Sequence, residues 1–470
     1  MRRVAILTAG GDTPALNATI HGVVTRANAH RVSVYGLIKG FNSLFNPRLP
    51  HVHLNPLFQS IPELDPTIGG TLIGASRDYL SGDDHASVAL IADRLKQLGI
   101  DGLICIGGDG TLNGMQALAS SLPVVLAPKT IDNDLGLNYR SEISEWQRVS
   151  SEQHPQGVYK RAAATAAFDI EDMVNYVTPG FATAVFVAAG GVERIRTTAE
   201  SHRRIAIIEV MGRESGYIAL GTAYGQPDFI LTPEHPVNVD VLVDRIVDLY
   251  EVQKNVVIVC GEGIRDVSGQ LLGAQSTSTD PAGNKVFSGA ADALRNLLID
   301  RIGDRYFRKL RRGENAREVI FTRKVGHTQR GGRPLLFDRF HSAQLGGKAL
   351  DLLIEGQTNM IAVLQWTRRN GFSVDGFPVA GLLDQWGHVH ARKVHPAFYD
   401  ADRLRPSAMG IQYLQQIFTG AVGHDDTEHL RERLFMPGRL VDSYRSTNML
   451  ISRRIEYLDT QRPTAVDLSA

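Results

Sequence analysis

Short apolar runs rich in Val, Ile and Leu recur along the chain at Val4–Thr8, Val32–Gly36, Gly102–Ile106, Val124–Ala127, Ile205–Val210, Phe229–Thr232 and Val256–Cys260. Helix-like segments lie between them, at Ala15–Asn28, Ala86–Leu98, Val239–Val252 and Gly289–Ile302. A strand that is apolar at every position has no face to offer water. Such strands belong to mainly parallel sheets whose two faces are covered by the intervening helices. The expectation is an α/β chain with more than one sheet, and 470 residues are too many for one core.

Three stretches break the rhythm. Residues 136–174 are polar and charged and read as an inserted lid or interface arm; residues 263–285, rich in Ser, Thr, Gly and Asp, read as an exposed loop. From Pro396 the pattern turns helical, with many Arg and Glu residues, and ends in a frayed tail at Pro463–Ala470. The 50 basic and 50 acidic residues cancel, which argues against nucleic acid or an anionic membrane as partner. Cys105 and Cys260 both end apolar runs, so the sequence predicts no disulfide framework and a reducing, cytoplasmic setting. The opening Met-Arg-Arg with Val-Ala-Ile-Leu reads as a first strand rather than a targeting segment. The apolar stretch from Tyr176 to Val192 is too interrupted to span a bilayer.

Chemistry concentrates after three of the strands. Strand Val4–Thr8 runs into Gly10-Gly11-Asp12-Thr13-Pro14, and strand Gly102–Ile106 into Gly107-Gly108-Asp109-Gly110-Thr111. Paired glycines let a backbone approach a ligand, and the helix that follows aims free N–H groups at it, which suits a phosphate. In open α/β sheets ligands collect at the carboxyl ends of strands, so two such loops can face one crevice. Neither loop is the GxxxxGK[ST] or the GxGxxG nucleotide motif. Asp109 can cap its helix or hold Mg²⁺ through water. The third segment, Lys129-Thr130-Ile131-Asp132-Asn133-Asp134, follows strand Val124–Ala127. Two carboxylates beside a hydroxyl and an ammonium suit a transfer in which one acid accepts an alcohol proton while its neighbours neutralise phosphate charge.

Together these segments closely resemble the phosphofructokinase family. Its further markers stand at Gly69-Gly70-Thr71-Leu72-Ile73-Gly74-Ala75-Ser76-Arg77, Thr178-Pro179-Gly180-Phe181-Ala182-Thr183-Ala184, Glu209-Val210-Met211-Gly212-Arg213 and Gly326-His327-Thr328-Gln329-Arg330. The resemblance runs from about residue 3 to about 365 and leaves the C-terminal hundred or so residues uncovered. It implies two similar Rossmann-like lobes with a cleft between them, plus an inserted arm and a C-terminal extension. Residues 1–178 would form the donor-binding lobe (with the insertion at 136–174) and 179–326 the sugar-phosphate-binding lobe. Residues 327–395 would return to the first lobe and cross over, and 396–470 would be a helical extension.

The implied reaction is transfer from MgATP to the 1-hydroxyl of fructose 6-phosphate, a glycolytic step giving fructose 1,6-bisphosphate and ADP. Asp132 would be the base, with Asp134 and Lys129 beside it and Thr130 bonding the transferring group. Asp109 would hold Mg²⁺, while Gly11, Arg77, Gly110 and Thr111 would line the donor's phosphate path. Met211, Gly212, Arg213 and Glu262 would hold the sugar, and His327 and Arg330 its 6-phosphate. Arg204 matches an arginine that the family supplies across a subunit contact, which implies a homo-oligomer, a dimer or a tetramer.

The family pattern is not kept everywhere. Glycine at position 110 leaves room for the ATP α-phosphate, whereas lysine at position 129 is shared with pyrophosphate users and with some ATP users. The open position is a requirement for the larger donor and a lysine serves either, so the reading favours ATP, with pyrophosphate as the alternative donor. A family arginine six residues before the histidine is Phe321 here, and Arg323 is the candidate to replace its charge. Two arginines of the family's effector site correspond to His21 and Thr25, so control by ADP and phosphoenolpyruvate is expected to be weak or absent. Another phosphorylated sugar as acceptor, or a non-catalytic sensor on the same fold, remain the other readings.

Overall fold

The computed structural model describes residues 1–78, 80–151, 154–162, 168–279, 285–310, 315–436 and 446–459. Two parallel-stranded sheets organise the chain. The larger runs, edge to edge, through Gly371–Pro378, Met360–Thr367, Val124–Pro128, Gly102–Gly107, Arg3–Thr8, Ser33–Leu37 and His51–His53. Its five inner strands are parallel, in a register that sets Ile104 beside Ile6 and Val125, and only the two edge strands run antiparallel. The smaller sheet, Ile320–Lys324, Ile205–Val210, Val256–Gly261 and Phe229–Leu231, is parallel throughout.

The apolar runs have the cause expected of them. Val4 and Ile6 enter one core with Ile104, Ile106 and Val125, while Ala5 and Leu7 enter the core on the opposite face with Leu103, Cys105 and Leu126. Each fully buried aliphatic side chain of this kind contributes about 1.5–3 kcal/mol. The smaller sheet has a core of its own around Ile205, Ile207, Ile258 and Cys260. Helix Val239–Gln253, which covers that sheet, starts at Asn238, whose side chain accepts the Val241 N–H at 3.2 Å, and stops at Lys254 in the left-handed region. Both cysteines are free and buried.

The chain crosses between the sheets repeatedly. It enters the smaller one at Ile205, returns through helix Leu336–Ile354 to add Met360–Thr367 and Gly371–Pro378 to the larger, and goes back once more after Pro396. There the Tyr399 hydroxyl donates to Ile230 O at 2.6 Å, and Ile230 N–H donates to Leu404 O at 2.8 Å. Phe398, Tyr413, Leu414 and Ile417 are buried in the main core, so this segment is no loose addition to the fold.

Within 136–174, the short helical turn Arg140–Glu145 leads into an antiparallel pair, Trp146–Ser151 and His154–Arg161. Arg161 ties the base of this arm to Glu142 at 2.6 Å and Glu145 at 2.8 Å. The stretch 263–285, read as a loop, instead contributes a strand, Ala274–Thr279, that pairs antiparallel with Lys285–Ser288. Its run of Ser and Thr suits a strand as well as a loop, since Thr is β-branched. Among the described residues no helix is long and apolar enough to cross a membrane. The tail Pro463–Ala470 lies outside the described residues.

Candidate active site

A cavity of about 260 Å³ opens where the carboxyl ends of strands from both sheets face each other. From the larger sheet its wall takes Gly11, Arg77, Asp109, Gly110 and Thr111, and then Lys129, Thr130, Asp132 and Asp134. From the smaller sheet it takes Met211, Arg213, Glu262, His327 and Arg330. Three other residues singled out in the sequence stand elsewhere. Gly212 does not line the wall but shapes it: at φ +140°, a Cβ there would lie 2.4 Å from Ser215 O, so only glycine lets the chain turn between Met211 and Arg213. Arg204 precedes Ile205–Val210, at the end of that strand remote from the cavity. The exposed side chain of Arg323 bonds Thr322 O at 2.8 Å and lies over the Phe321 ring, 5.2 Å from its centroid.

Strand alternation explains the last placement. Adjacent residues at a strand's end point to opposite faces, and it is Lys324, not Arg323, that lines the cavity. Its ammonium is 2.8 Å from Glu209, a buried carboxylate that also accepts the Ala291 N–H at 3.1 Å. The wall further contains Phe41 and Asp78, which the sequence reading did not single out. Phe41 opens a short helix after Gly40 and is itself a core residue, 1% exposed.

The acidic turn is held rigidly. Thr130 Oγ1 donates to Asp134 Oδ1 at 2.9 Å and accepts the Asp132 N–H at 3.1 Å, and Asn133 between the carboxylates is in the left-handed region at φ +57°. Asp132 is 2% exposed; its Oδ2 lies 3.8 Å from Arg213 Nε, and its Oδ1 is buried with no hydrogen-bond partner among the described residues. Burial first, and then the charge of Asp134, raise the Asp132 carboxyl above its ordinary range. Asp109 is the first residue of helix Asp109–Gln116, whose N-cap is Gly108, and its Oδ1 accepts the Gly110 N–H at 2.8 Å. Its carboxyl too is raised, by burial and then by Asp134, and Asp132 adds to the effect, which puts all three acids within reach of one another's fields.

Cations balance these acids. Lys129 Nζ donates to Ala9 O at 3.0 Å and to Gly11 O, tying the third loop to the first; burial, and then Arg330, lower its ammonium to about 8. Arg330 reaches across the cleft so far that a Cβ on Gly11 would meet its Nη1 at 2.9 Å. Glu262 accepts the Arg213 N–H at 3.0 Å, and burial followed by Asp132 push it up to about 7. Among the described residues no cluster of three or more His, Cys, Asp or Glu makes an all-protein metal cage. One carboxylate beside a phosphate path is the donor set that a magnesium ion takes up together with phosphate oxygens and water, and Asp109 fits it. Mutual repulsion among Asp109, Asp132 and Asp134 is what such an ion would relieve.

The family described as Phosphofructokinase matches residues 3–141 and 166–353. "ATP-dependent 6-phosphofructokinase 3" of Streptomyces coelicolor is 32% identical over 373 residues, covering 78% of this chain and 91% of that protein. "Pyrophosphate--fructose 6-phosphate 1-phosphotransferase" of Dictyoglomus thermophilum is 31% identical over 404 residues, covering 85% of this chain and 97% of that protein. Among solved structures, a pyrophosphate-dependent phosphofructokinase from Marinobacter aquaeolei aligns over 90% of this chain and 92% of its own, with a TM-score of 0.65 at 16% identity, which speaks to fold alone.

Proposed function

This chain belongs to the phosphofructokinase family, and from that premise we propose that it transfers the terminal phosphoryl group of ATP to the 1-hydroxyl of fructose 6-phosphate, giving fructose 1,6-bisphosphate and ADP. The observation that carries the reading is the unpartnered Asp132 Oδ1, a buried carboxylate oxygen on the wall of a cleft otherwise rich in cations. A carboxyl raised by burial is a better proton acceptor than an exposed one.

The sugar's O1 loses its proton to Asp132 and attacks the donor's terminal phosphorus in line, while the bond from that phosphorus to the bridging oxygen of ADP breaks. No covalent enzyme intermediate is needed. Phosphoryl transfer asks for position and positive charge more than for covalent help. Lys129, Arg213 and Arg77 supply the charge along the path, and Thr130, whose single hydroxyl hydrogen otherwise goes to Asp134, turns it to the transferring group. Asp109 is the residue that would hold Mg²⁺, which when bound neutralises donor phosphate charge. Met211, Arg213 and Glu262 face the hexose, and His327 and Arg330 its 6-phosphate. Lys324 joins them, providing from within the chain the charge that Phe321 lacks. Arg204 lies too far from this cavity to act in it and would serve the site of a neighbouring copy, so the working form is a homo-oligomer in the cytoplasm.

Pyrophosphate is the second reading, because relatives of both donor types match the chain at similar identity. ATP is favoured by the bare Gly110 on the donor side. The test is a coupled assay of fructose 6-phosphate turnover with each donor separately. Turnover with MgATP well above that with pyrophosphate is the expected result, and the reverse ranking overturns the choice of donor.

A further inference from the structure

The acidic turn is braced from beneath in part by Arg392 and Tyr413, which lie beyond the region matched to the family. Asn133 holds a left-handed conformation, φ +57°, which asparagine tolerates but which is not self-sustaining in a short turn. The carbonyls of the turn find no partner in regular secondary structure, so each must be satisfied some other way. Ser215 Oγ donates to Asp132 O at 3.3 Å. Arg392 takes the other two: Nε and Nη2 donate to Asn133 O at 3.1 and 2.8 Å, and its own backbone N–H donates to Asp134 O at 2.6 Å. Arg392 Nη2 also donates to Asn133 Oδ1 at 2.6 Å, an oxygen that receives the Thr178 N–H at 3.0 Å, and Nη1 donates to Asn175 O. Asn133 Nδ2 donates to the Tyr413 hydroxyl at 2.7 Å. That hydroxyl in turn donates to Tyr176 O at 3.0 Å.

Arg392 is 2% exposed, sits over the Tyr217 ring with its guanidinium 5.0 Å from the centroid, and among the described residues is in no ion pair. A buried cation whose acceptors are neutral groups is costly to desolvate, and here the hydrogen bonds it gives to otherwise unmet buried oxygens offset that cost. The four side-chain hydrogen bonds leave from three nitrogens of one planar fork, Nε, Nη1 and Nη2, a spread that the single nitrogen of a lysine does not cover.

We propose that Arg392, together with Tyr413, is a positioning residue that fixes the turn so that Asp132 and Asp134 face the transferring phosphoryl group, and that the C-terminal segment is to this extent part of the active site. The proposal rests on reading Asp132 as the base. Neither residue touches the substrate; both act through Asn133. Loss of the fork lets the turn relax, and a shift of an ångström at the reacting oxygen is enough to cost about 100-fold in rate.

The test uses the full chain with Arg392→Met and Tyr413→Phe, reading fructose 6-phosphate stoichiometry by calorimetry, kcat per competent site, and the pH–rate profile. Stoichiometry should remain near that of the wild type, while kcat per competent site falls about 100-fold in the first variant and about 3- to 10-fold in the second. The acid limb should move from its wild-type position, because burial and the nearness of Asp134, the two causes that raise the Asp132 carboxyl, both change when the turn relaxes. Should Arg392→Met fail to fold, Tyr413→Phe, which removes one hydroxyl, decides alone. Activity that falls only with the folded fraction, with kcat per competent site and the acid limb unchanged, overturns the proposal. A wild-type chain that binds the sugar phosphate but turns over neither donor would instead overturn the reading of the site itself.

Discussion

Replacing Asp132 by Asn separates what this carboxylate does for the reaction from what it does to the fold. Asn has the same shape, and the nearest cation, Arg213 Nε, is 3.8 Å away, so the exchange breaks no close ion pair. What it removes is a proton acceptor at a buried oxygen that has no other partner among the described residues. General bases contribute about 10²- to 10⁴-fold, or about 3–5 kcal/mol at 1.36 kcal/mol per decade, and kcat should fall by that factor with little change in either KM. Stability should move the other way. The carboxyl is raised above its ordinary 3.8, first by burial and then by Asp134, so folding favours its neutral form. The stability tied to that preference is fully present below the unfolded value and is lost as pH rises through the folded one. At pH 8 the ionised wild-type side chain therefore opposes folding, and Asp132→Asn should melt higher than the wild type there, a difference that shrinks towards pH 4. Coupled turnover and thermal melts at both pH values read the two effects. A variant that keeps more than about a tenth of kcat, or that melts lower at pH 8, contradicts the assignment.

Lys324→Met should raise KM for fructose 6-phosphate about tenfold, the size of one charge-assisted contact, and leave the donor's KM alone, while Arg323→Ala should change neither; initial-rate kinetics with each substrate varied decide it. Glu262 titrates at about 7 in the fold against 4.5 ordinarily, so its contribution to stability is lost as pH rises from about 4.5 to about 7. Glu262→Gln should accordingly raise the melting temperature at pH 8 and not at pH 4, and equal melting curves for the two proteins at pH 8 would refute the burial argument.

What could be read in the sequence is what local chemistry dictates. Continuous apolar runs such as Val4–Thr8 and Ile205–Val210, bounded by turn residues, fit strands covered on both faces, and two Gly-Gly-Asp turns after such strands fit loops that share one ligand crevice. The acids at 109, 132 and 134 meet because parallel strands bring their carboxyl ends to one edge. Facing direction is another matter. Arg323 and Lys324 are neighbours of like charge, and only the register of Ile320–Lys324 against Ile205–Val210 decides which of them looks into the cavity. Arg392 was invisible for a different reason: its partner Asn133 lies 259 residues away, and a lone arginine in a polar stretch gives no sign of being buried. The segment after Pro396 was recognised as helical, but its burial depends on Phe398 and Tyr413 finding Tyr176 and Tyr217, contacts that no local pattern announces.

The proposed transfer requires Asp132 Oδ1 to meet the hydroxyl that is phosphorylated. A crystal structure of the protein with fructose 6-phosphate and a non-hydrolysable ATP analogue tests this most directly. The account predicts the sugar's O1 within hydrogen-bond reach of that oxygen, about 2.6–3.2 Å, with the analogue's terminal phosphate between Lys129, Arg213 and Asp109. A sugar bound with O1 turned away from Asp132, or an analogue seated outside this cavity, would contradict it.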